Sequence, residues 1–115
     1  MWKKGIQLAK ATYQVTEAFP KHEIYGLSSQ LQRAAVSIPA NVAEGHARNG
    51  TKEFLRHLSI ARGSLAELET LLMLAEQLNY CQPSTTHEIM RRCEEISRML
   101  SGLRNALHRR ENRNP

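Results

Sequence analysis

Residues 54–75 read FLRHLSIARGSLAELETLLMLA, and their apolar side chains return at alternating intervals of four and three residues. Such intervals hold one apolar stripe along one side of an α-helix, which is the pattern of a helix packed in a bundle. The stretch therefore predicts a long helix with one buried side. The positions of this stripe are Phe54, Leu58, Ala61, Leu65, Leu68, Leu72 and Ala75.

Three other segments repeat the helical spacing and predict three more helices. The first covers about residues 2–19 and ends before Pro20, the second runs from residue 27 towards residue 45, and the last follows Pro83. Pro39 lies inside the second segment and removes a backbone donor, so we expect either a kink or a short break there. The predicted core positions are Trp2, Ile6, Ala9 and Tyr13 in the first segment, Leu27, Leu31, Ala34, Ile38 and Val42 in the second, and Ile89, Cys93, Ile96, Leu100, Leu103 and Leu107 in the last.

The ends of the predicted helices are marked by capping residues and by short connections. Thr51 is a candidate N-cap for the third helix, and Thr85 with Glu88 matches a capping box for the fourth. Short connections place consecutive helices side by side in opposite directions. The sequence therefore predicts one all-α domain over residues 1–115, an antiparallel up-down-up-down four-helix bundle. Its basic C-terminal tail begins at about residue 108.

Composition limits the class of protein and its location. Of the 115 residues, 41% are hydrophobic and 23% are charged, which is typical of a globular chain, and no apolar run reaches the roughly 20 residues of a membrane helix. No apolar signal segment follows the basic residues at the start, so we expect a cytoplasmic protein with no membrane partner. Cys81 and Cys93 lack CxxC spacing and are expected to remain free thiols in a reducing compartment.

The third predicted helix carries a second apolar row beside the first, interrupted by one carboxylate. A helix that is apolar on more than one side is either deeply buried or shared with another subunit, and a four-helix monomer offers little depth. The row therefore favours a homo-oligomer, although a broad core face is an alternative explanation for the same leucines. In a shared interface Glu67 needs a hydrogen-bond donor, and the candidates are Arg33, Ser37 and Asn41. The row consists of Ile60, Gly63, Glu67, Leu71, Leu74 and Leu78.

The chain has a formal net charge of +5, and an antiparallel bundle is expected to concentrate the positive charge at one end. Antiparallel helices bring the start of the first helix, the turn between the second and third, and the end of the fourth to one end. Residues 1–4, 44–57 and 104–115 together hold nine basic and three acidic side chains, a net charge of +6. The basic side chains are Lys3, Lys4, Arg48, Lys52, Arg56, Arg104, Arg109, Arg110 and Arg113, and His46, His57 and His108 accompany them.

Two kinds of partner fit this basic end. A concentrated positive field attracts RNA or DNA, and the shortage of tryptophan and tyrosine nearby favours contacts with phosphates over stacking on bases. The alternative is a structural scaffold that binds another protein, with the basic end facing an acidic partner. A third interpretation treats Arg104–Arg113 as a solvated tail that only complements the helix dipole.

No arrangement for catalysis or for a bound cofactor is recognisable in the sequence. Di-metal bundles need Glu-x-x-His pairs on facing helices, and the chain has none. Glu53 and His57 share a helix face at a spacing of four, which favours a surface hydrogen bond over a metal site. We therefore expect a protein that is not an enzyme, with no catalytic residue, metal or cofactor.

Three ordered motifs resemble those of a known bacterial family. They are YGLSSQL at residues 25–31, AAVSIPANVAEG at residues 34–45 and GSLAELET at residues 63–70. Over essentially its whole length the chain resembles the four-helix bundle proteins that are encoded in intervening sequences of large-subunit ribosomal RNA genes, once labelled S23 ribosomal proteins.

This resemblance implies a small cytosolic bundle that assembles as a homopentameric ring. It also implies kinship with the basic accessory variability proteins of diversity-generating retroelements, which bind nucleic acid. It carries over no catalytic residue. Gly45 and Gly63 are expected to permit close approach of helices. Structural or interface roles are implied for the motif positions Ser37, Asn41, Glu44, Gly45, Ser64, Glu67 and Glu69.

Overall fold

Four α-helices make up most of the computed structural model, which describes residues 1–113. No strand occurs in this part of the chain, so the prediction of an all-α protein with four helices is confirmed. None of the helices in residues 1–113 has both the length and the apolarity needed to span a membrane. The helices are α1 at Trp2–Thr16, α2 at Leu27–Ala47, α3 at Thr51–Gln77 and α4 at Pro83–Arg113, and a 3-10 turn at Lys21–Glu23 joins α1 to α2.

The predicted C-terminal tail is helical as far as it is described. Helix α4 continues to Arg113, so residues 108–113 are its last turns. The last two residues of the predicted tail, 114 and 115, lie outside the described residues.

Consecutive helices pack side by side in opposite directions, and α1 and α4 close the bundle. Gly5 at the start of α1 meets Pro39 in the second half of α2, and Gly45 near the end of α2 meets His57 near the start of α3. In the described residues α1 does not pack directly on α3, and α2 does not pack directly on α4. The helices therefore stand at the four corners of a bundle that measures 52 Å along its longest axis.

Helices α2, α3 and α4 bury the sides that their apolar spacing predicts. Every predicted core position in these three helices is buried except Phe54 and Leu103, which are partly buried and pack against the core. Leucine, isoleucine and alanine fill most of these positions, so the stabilising burial of apolar surface follows the spacing directly.

The prediction of which side of α1 is buried is largely wrong. Trp2, Ile6 and Tyr13 are about half exposed. The side that α1 buries contains Gly5, Leu8, Ala9, Thr12 and Thr16. Glycine and threonine do not register in a search for apolar spacing, which explains the error.

Gly5 and Thr12 show how small or polar residues come to be buried on this side of α1. Gly5 allows Pro39 to pack directly on the α1 backbone, because a Cβ built at Gly5 would lie 3.0 Å from the Cβ of Pro39. The hydroxyl of Thr12 donates a 2.9 Å hydrogen bond to the carbonyl of Leu8, so it is buried without losing a partner.

Two predicted caps are wrong, and the proline in α2 does not interrupt the helix. Thr51 is the first residue of α3, and the N-cap is Gly50, which makes no side-chain hydrogen bond. Helix α4 starts at Pro83, since proline has a suitable φ and needs no backbone donor at the first helical position. The predicted capping box of Thr85 and Glu88 therefore lies inside the helix. Pro39 lies within α2, which is unbroken from Leu27 to Ala47.

Candidate nucleic-acid interface

The turn between α2 and α3 is the centre of the predicted basic end. Gly50 has a φ of 101°, a conformation that glycine adopts without strain. Gly45 brings the two helices close together, since a Cβ built there would lie 2.8 Å from the Cβ of His57 and 3.0 Å from Cδ1 of Phe54. The predicted close approach is thus confirmed at Gly45. It is not found at Gly63 within one copy, because no neighbouring atom of the described chain lies within 4 Å of a Cβ built there.

The end of α4 reaches the level of this turn. Glu69 of α3 and Glu94 of α4 line one cleft, which fixes how the two antiparallel helices are aligned. Thr51 lies 18 residues before Glu69 in α3, which corresponds to a rise of about 27 Å. Because α4 runs in the opposite direction, the same distance along α4 leads from Glu94 to residue 112. The basic residues in the last two turns of α4 therefore stand beside the first turn of α3.

The start of α1 does not reach this end of the molecule. Gly5 packs on Pro39, which precedes the last residue of α2 by eight residues, a rise of about 12 Å. Lys4 donates to Glu95 of α4 at 2.9 Å, and this hydrogen bond lowers the pKa of the Glu95 carboxyl. Lys3 and Lys4 therefore lie on the side of the bundle, apart from the other predicted cations.

Two arginines beside the turn are engaged by carboxylates that lie four and three residues earlier in the chain. Arg48 donates to Glu44 at 2.7 Å, and this hydrogen bond lowers the pKa of the Glu44 carboxyl. Arg56 lies 3.2 Å from Glu53. All four side chains are about half exposed, so these ion pairs are screened by solvent and compete only weakly with another anion.

Several of the other cations at this end have no carboxylate partner within residues 1–113. Lys52, Arg109 and Arg113 are exposed and unpaired, and Arg104 is half-buried. Arg110 is exposed as well, as are His46 and His108. We define the basic end as residues 44–57 and 104–113, which hold seven basic and three acidic side chains. The net charge here is +4, lower than the predicted +6 because Lys3 and Lys4 lie elsewhere.

His57 is a buried member of a polar network, which the sequence did not predict. The side chain is 3% exposed, and Nδ1 lies 3.0 Å from Oδ1 of Asn41. The Asn41 amide nitrogen donates to the carbonyl and hydroxyl oxygens of Ser37, so its oxygen accepts a hydrogen bond from His57 Nδ1. Ser64 of α3 donates to the same Ser37 hydroxyl at 2.8 Å.

This network joins α2 to α3, and it extends from His57 in the basic end to Ser37 and Ser64. With Nδ1 protonated, Nε2 of His57 is left to accept the contact from Arg56 at 3.4 Å. The predicted surface hydrogen bond between Glu53 and His57 is therefore wrong, since Glu53 pairs with Arg56. A signal was present in the sequence, because Ser37 and Asn41 are four residues apart on the side of α2 that faces α3.

The second apolar row of α3, here called the α3 strip, is left uncovered by one copy of the chain. Ile60, Leu74 and Leu78 are 40–47% exposed, and Gly63 and Glu67 are also exposed. The alternative of a broad core face holds only for Leu71, which is partly buried against the core.

Glu67 has no ion pair or hydrogen bond in the described chain. Of its predicted donors, Arg33 and Ser37 line the same small cleft, but both remain unbonded to it. Asn41 is occupied by His57 and Ser37. The carboxylate is thus free to meet a group from outside the chain.

Comparisons with known proteins support the family indicated by the three motifs. A search of curated proteins finds no match. Among solved structures, the chain is similar to a protein with unknown function from the S23 ribosomal protein family of Bacteroides thetaiotaomicron. The similarity covers 90% of this chain and 96% of that chain, with 23% sequence identity and a TM-score of 0.80, and it shows a shared fold. The model of the 23S rRNA-intervening sequence protein family matches residues 1–102, and the chain belongs to that family.

Proposed function

We propose that this protein is a cytoplasmic, non-enzymatic homo-oligomer that binds RNA or DNA through phosphate contacts at its basic end. The observation that carries this proposal is the group formed by Lys52, Arg109 and Arg113. These three side chains are exposed, come from two helices and have no carboxylate partner within residues 1–113. Such cations replace the counterions of a nucleic acid, and the release of those counterions favours binding at low salt.

The aromatic content of the basic end supports contacts with phosphates rather than with bases. Apart from histidine, Phe54 is the only aromatic residue in the segments that form it. Its ring is partly buried and packs edge-on against His46, with the ring centroids 5.9 Å apart. Binding to single-stranded bases uses exposed aromatic platforms, so we expect little dependence on base sequence.

The α3 strip supports the oligomeric part of the proposal. Exposed leucine and isoleucine side chains in one row are typical of a surface that another subunit covers. Each added copy brings another +4 at its basic end, which strengthens the long-range attraction of a polyanion. The homopentamer implied by the family resemblance is the assembly that we propose.

Salt dependence is the direct test of phosphate binding. A fluorescein-labelled 20-base-pair DNA and a 20-nucleotide RNA, each in two unrelated sequences, are titrated with protein and followed by fluorescence anisotropy. Three phosphate contacts per bound copy predict roughly 40-fold weaker binding to the duplex at 200 mM salt than at 50 mM salt. The double variant Lys52→Ala/Arg109→Ala is expected to reduce the slope of log affinity against log salt by about two for each bound copy.

A matched control removes the same charge far from the basic end. Lys21 lies in the 3-10 turn and Arg91 in the first half of α4, and both are exposed. Lys21→Ala/Arg91→Ala is expected to leave the salt slope unchanged, and an equal loss in both double variants would count against the basic end. If nuclease-treated protein fails to bind either probe at 50 mM salt, the scaffold function is favoured instead, and a pull-down with the same protein tests it.

A further inference from the structure

Helix α1 presents a second exposed apolar surface, distinct from the α3 strip. Trp2, Ile6 and Tyr13 are 46–50% exposed and lie within about 40° of one another around the helix. This side of α1 borders α2, because Gly5 packs on Pro39 and Gln32 donates a 2.9 Å hydrogen bond to Thr16.

The adjoining surface of α2 is apolar and uncharged. No charged side chain occurs between residues 34 and 43, and within this segment Val36 and Ala40 are exposed. We call the surface formed by Trp2, Ile6, Tyr13, Val36 and Ala40 the α1–α2 face. A helix that has no charge on its outer side for nearly three turns is unusual at a water-exposed surface.

The α1–α2 face and the α3 strip lie on two adjacent sides of the four-cornered bundle. The α3 strip borders the opposite side of α2, where Ser64 is bonded to Ser37 and Glu67 lines the cleft with Arg33. Helix α2 thus stands at the corner between two apolar surfaces. The diagonal helix α4, which does not pack on α2 in the described residues, stands at the far corner.

We infer that the α1–α2 face of one copy packs against the α3 strip of the next copy, so that the copies join head to tail around a ring. This inference rests on the proposed homo-oligomer and specifies its interface. Charge complementarity supports the pairing of these unlike surfaces. The one charge within the α3 strip is the unpaired Glu67, whereas Lys3 and Lys10 flank Ile6 on α1, and both lysines are exposed without partners within residues 1–113.

The geometry of the bundle favours closure of such a ring. Interfaces between two unlike surfaces form rings when the rotation between copies closes. Adjacent sides of a four-cornered bundle meet at roughly a right angle, which closes a ring of about four copies, and an angle narrower by about 20° closes a ring of five. In that ring α2 is the helix nearest the axis, and α4 lies at the periphery.

Two charged substitutions separate this arrangement from pairing between like surfaces. Ile6→Glu disrupts the α1–α2 face, and Leu74→Glu disrupts the α3 strip. Multi-angle light scattering is expected to give an oligomer for the parent chain and 13.1 kDa, the mass of one chain, for each variant alone. An equimolar mixture of the two variants retains one intact pair of unlike surfaces, so it is expected to form a heterodimer of twice that mass and nothing larger.

Met73→Glu is the matched control, since Met73 lies on another side of α3 and is 59% exposed. It is expected to keep the mass of the parent. Circular dichroism checks that each variant is folded, and Tyr13→Glu replaces Ile6→Glu if the latter loses helix. An oligomeric Ile6→Glu variant beside a monomeric Leu74→Glu variant would show that the α3 strip pairs with itself and would overturn the inference. A monomeric parent would refute the homo-oligomer as well.

Discussion

Replacing Gly45 by alanine tests how closely α2 and α3 approach each other at the basic end. At an open helical position this change stabilises a protein by about 1 kcal/mol. At Gly45 the new Cβ would lie 2.8 Å from the Cβ of His57, which is fixed to the α3 backbone and cannot rotate away. Overpacking of this kind costs about 1–3 kcal/mol, so we expect a net loss of about 1 kcal/mol in the free energy of unfolding.

Gly102→Ala is the matched control for this prediction. Gly102 is exposed within α4, and no neighbouring atom of the described chain lies within 4 Å of a Cβ built there, so alanine is expected to stabilise the fold by about 1 kcal/mol. The two variants should differ by about 2 kcal/mol in urea unfolding and by roughly 8 °C in Tm. All samples need the same protein concentration, because assembly contributes to apparent stability. Equal stabilisation by both alanines would refute the close approach of α2 and α3.

Three further outcomes are expected. Burial raises the pKa of the Cys93 thiol to about 12, whereas Cys81 is only partly buried; iodoacetamide at pH 8 should therefore alkylate Cys81 alone in the folded protein, and mass spectrometry showing equal rates at both thiols would contradict this. Burial, together with the nearby Glu94 carboxylate, also raises the pKa of Glu69 above its ordinary value of 4.5. The folded state therefore disfavours the ionised carboxylate, and stability is lost as the pH rises above 4.5 and Glu69 ionises. Glu69→Gln should thus raise Tm at pH 7 but not at pH 3, and an equal gain at both pH values would exclude this cause. Asn41→Ala leaves a buried N–H of His57 without its acceptor and should cost about 1–3 kcal/mol in urea unfolding, while a loss below about 0.5 kcal/mol would show that the network adds little.

The extent to which each helix could be predicted depends on which residues fill its buried side. In α3 the buried positions are mostly leucine and alanine, so apolar spacing and burial coincide. In α1 they include Gly5, Thr12 and Thr16, whose burial depends on partners that spacing does not show. Gly5 is buried because Pro39 packs on it, and the threonine hydroxyls are satisfied by backbone carbonyls of their own helix.

The same limit applies to the candidate site. The sequence predicted that the α2–α3 turn and the end of α4 lie together, because their order along the chain requires it in an antiparallel bundle. It did not predict that the start of α1 falls short of them, since the offset between α1 and α2 is set by the contact of Gly5 with Pro39. The burial of His57 was also missed, because it depends on a hydrogen bond to a residue 16 positions away.

The two proposals constrain each other through symmetry. A pair of copies joined by the same surface on each is related by a two-fold axis, and an axis perpendicular to the helices would point the two basic ends in opposite directions. A head-to-tail ring around an axis parallel to the helices places every basic end on the same side, since rotation about that axis does not exchange the ends. Each copy then adds +4 to one continuous rim, with the α2–α3 turns near the axis and the ends of α4 outside them. Such a rim concentrates the attraction for a polyanion on one side, so Ile6→Glu and Leu74→Glu should weaken nucleic-acid binding even though neither changes a basic residue. Unchanged affinity and salt slope in these monomeric variants would show that a single basic end suffices and that the ring serves another purpose.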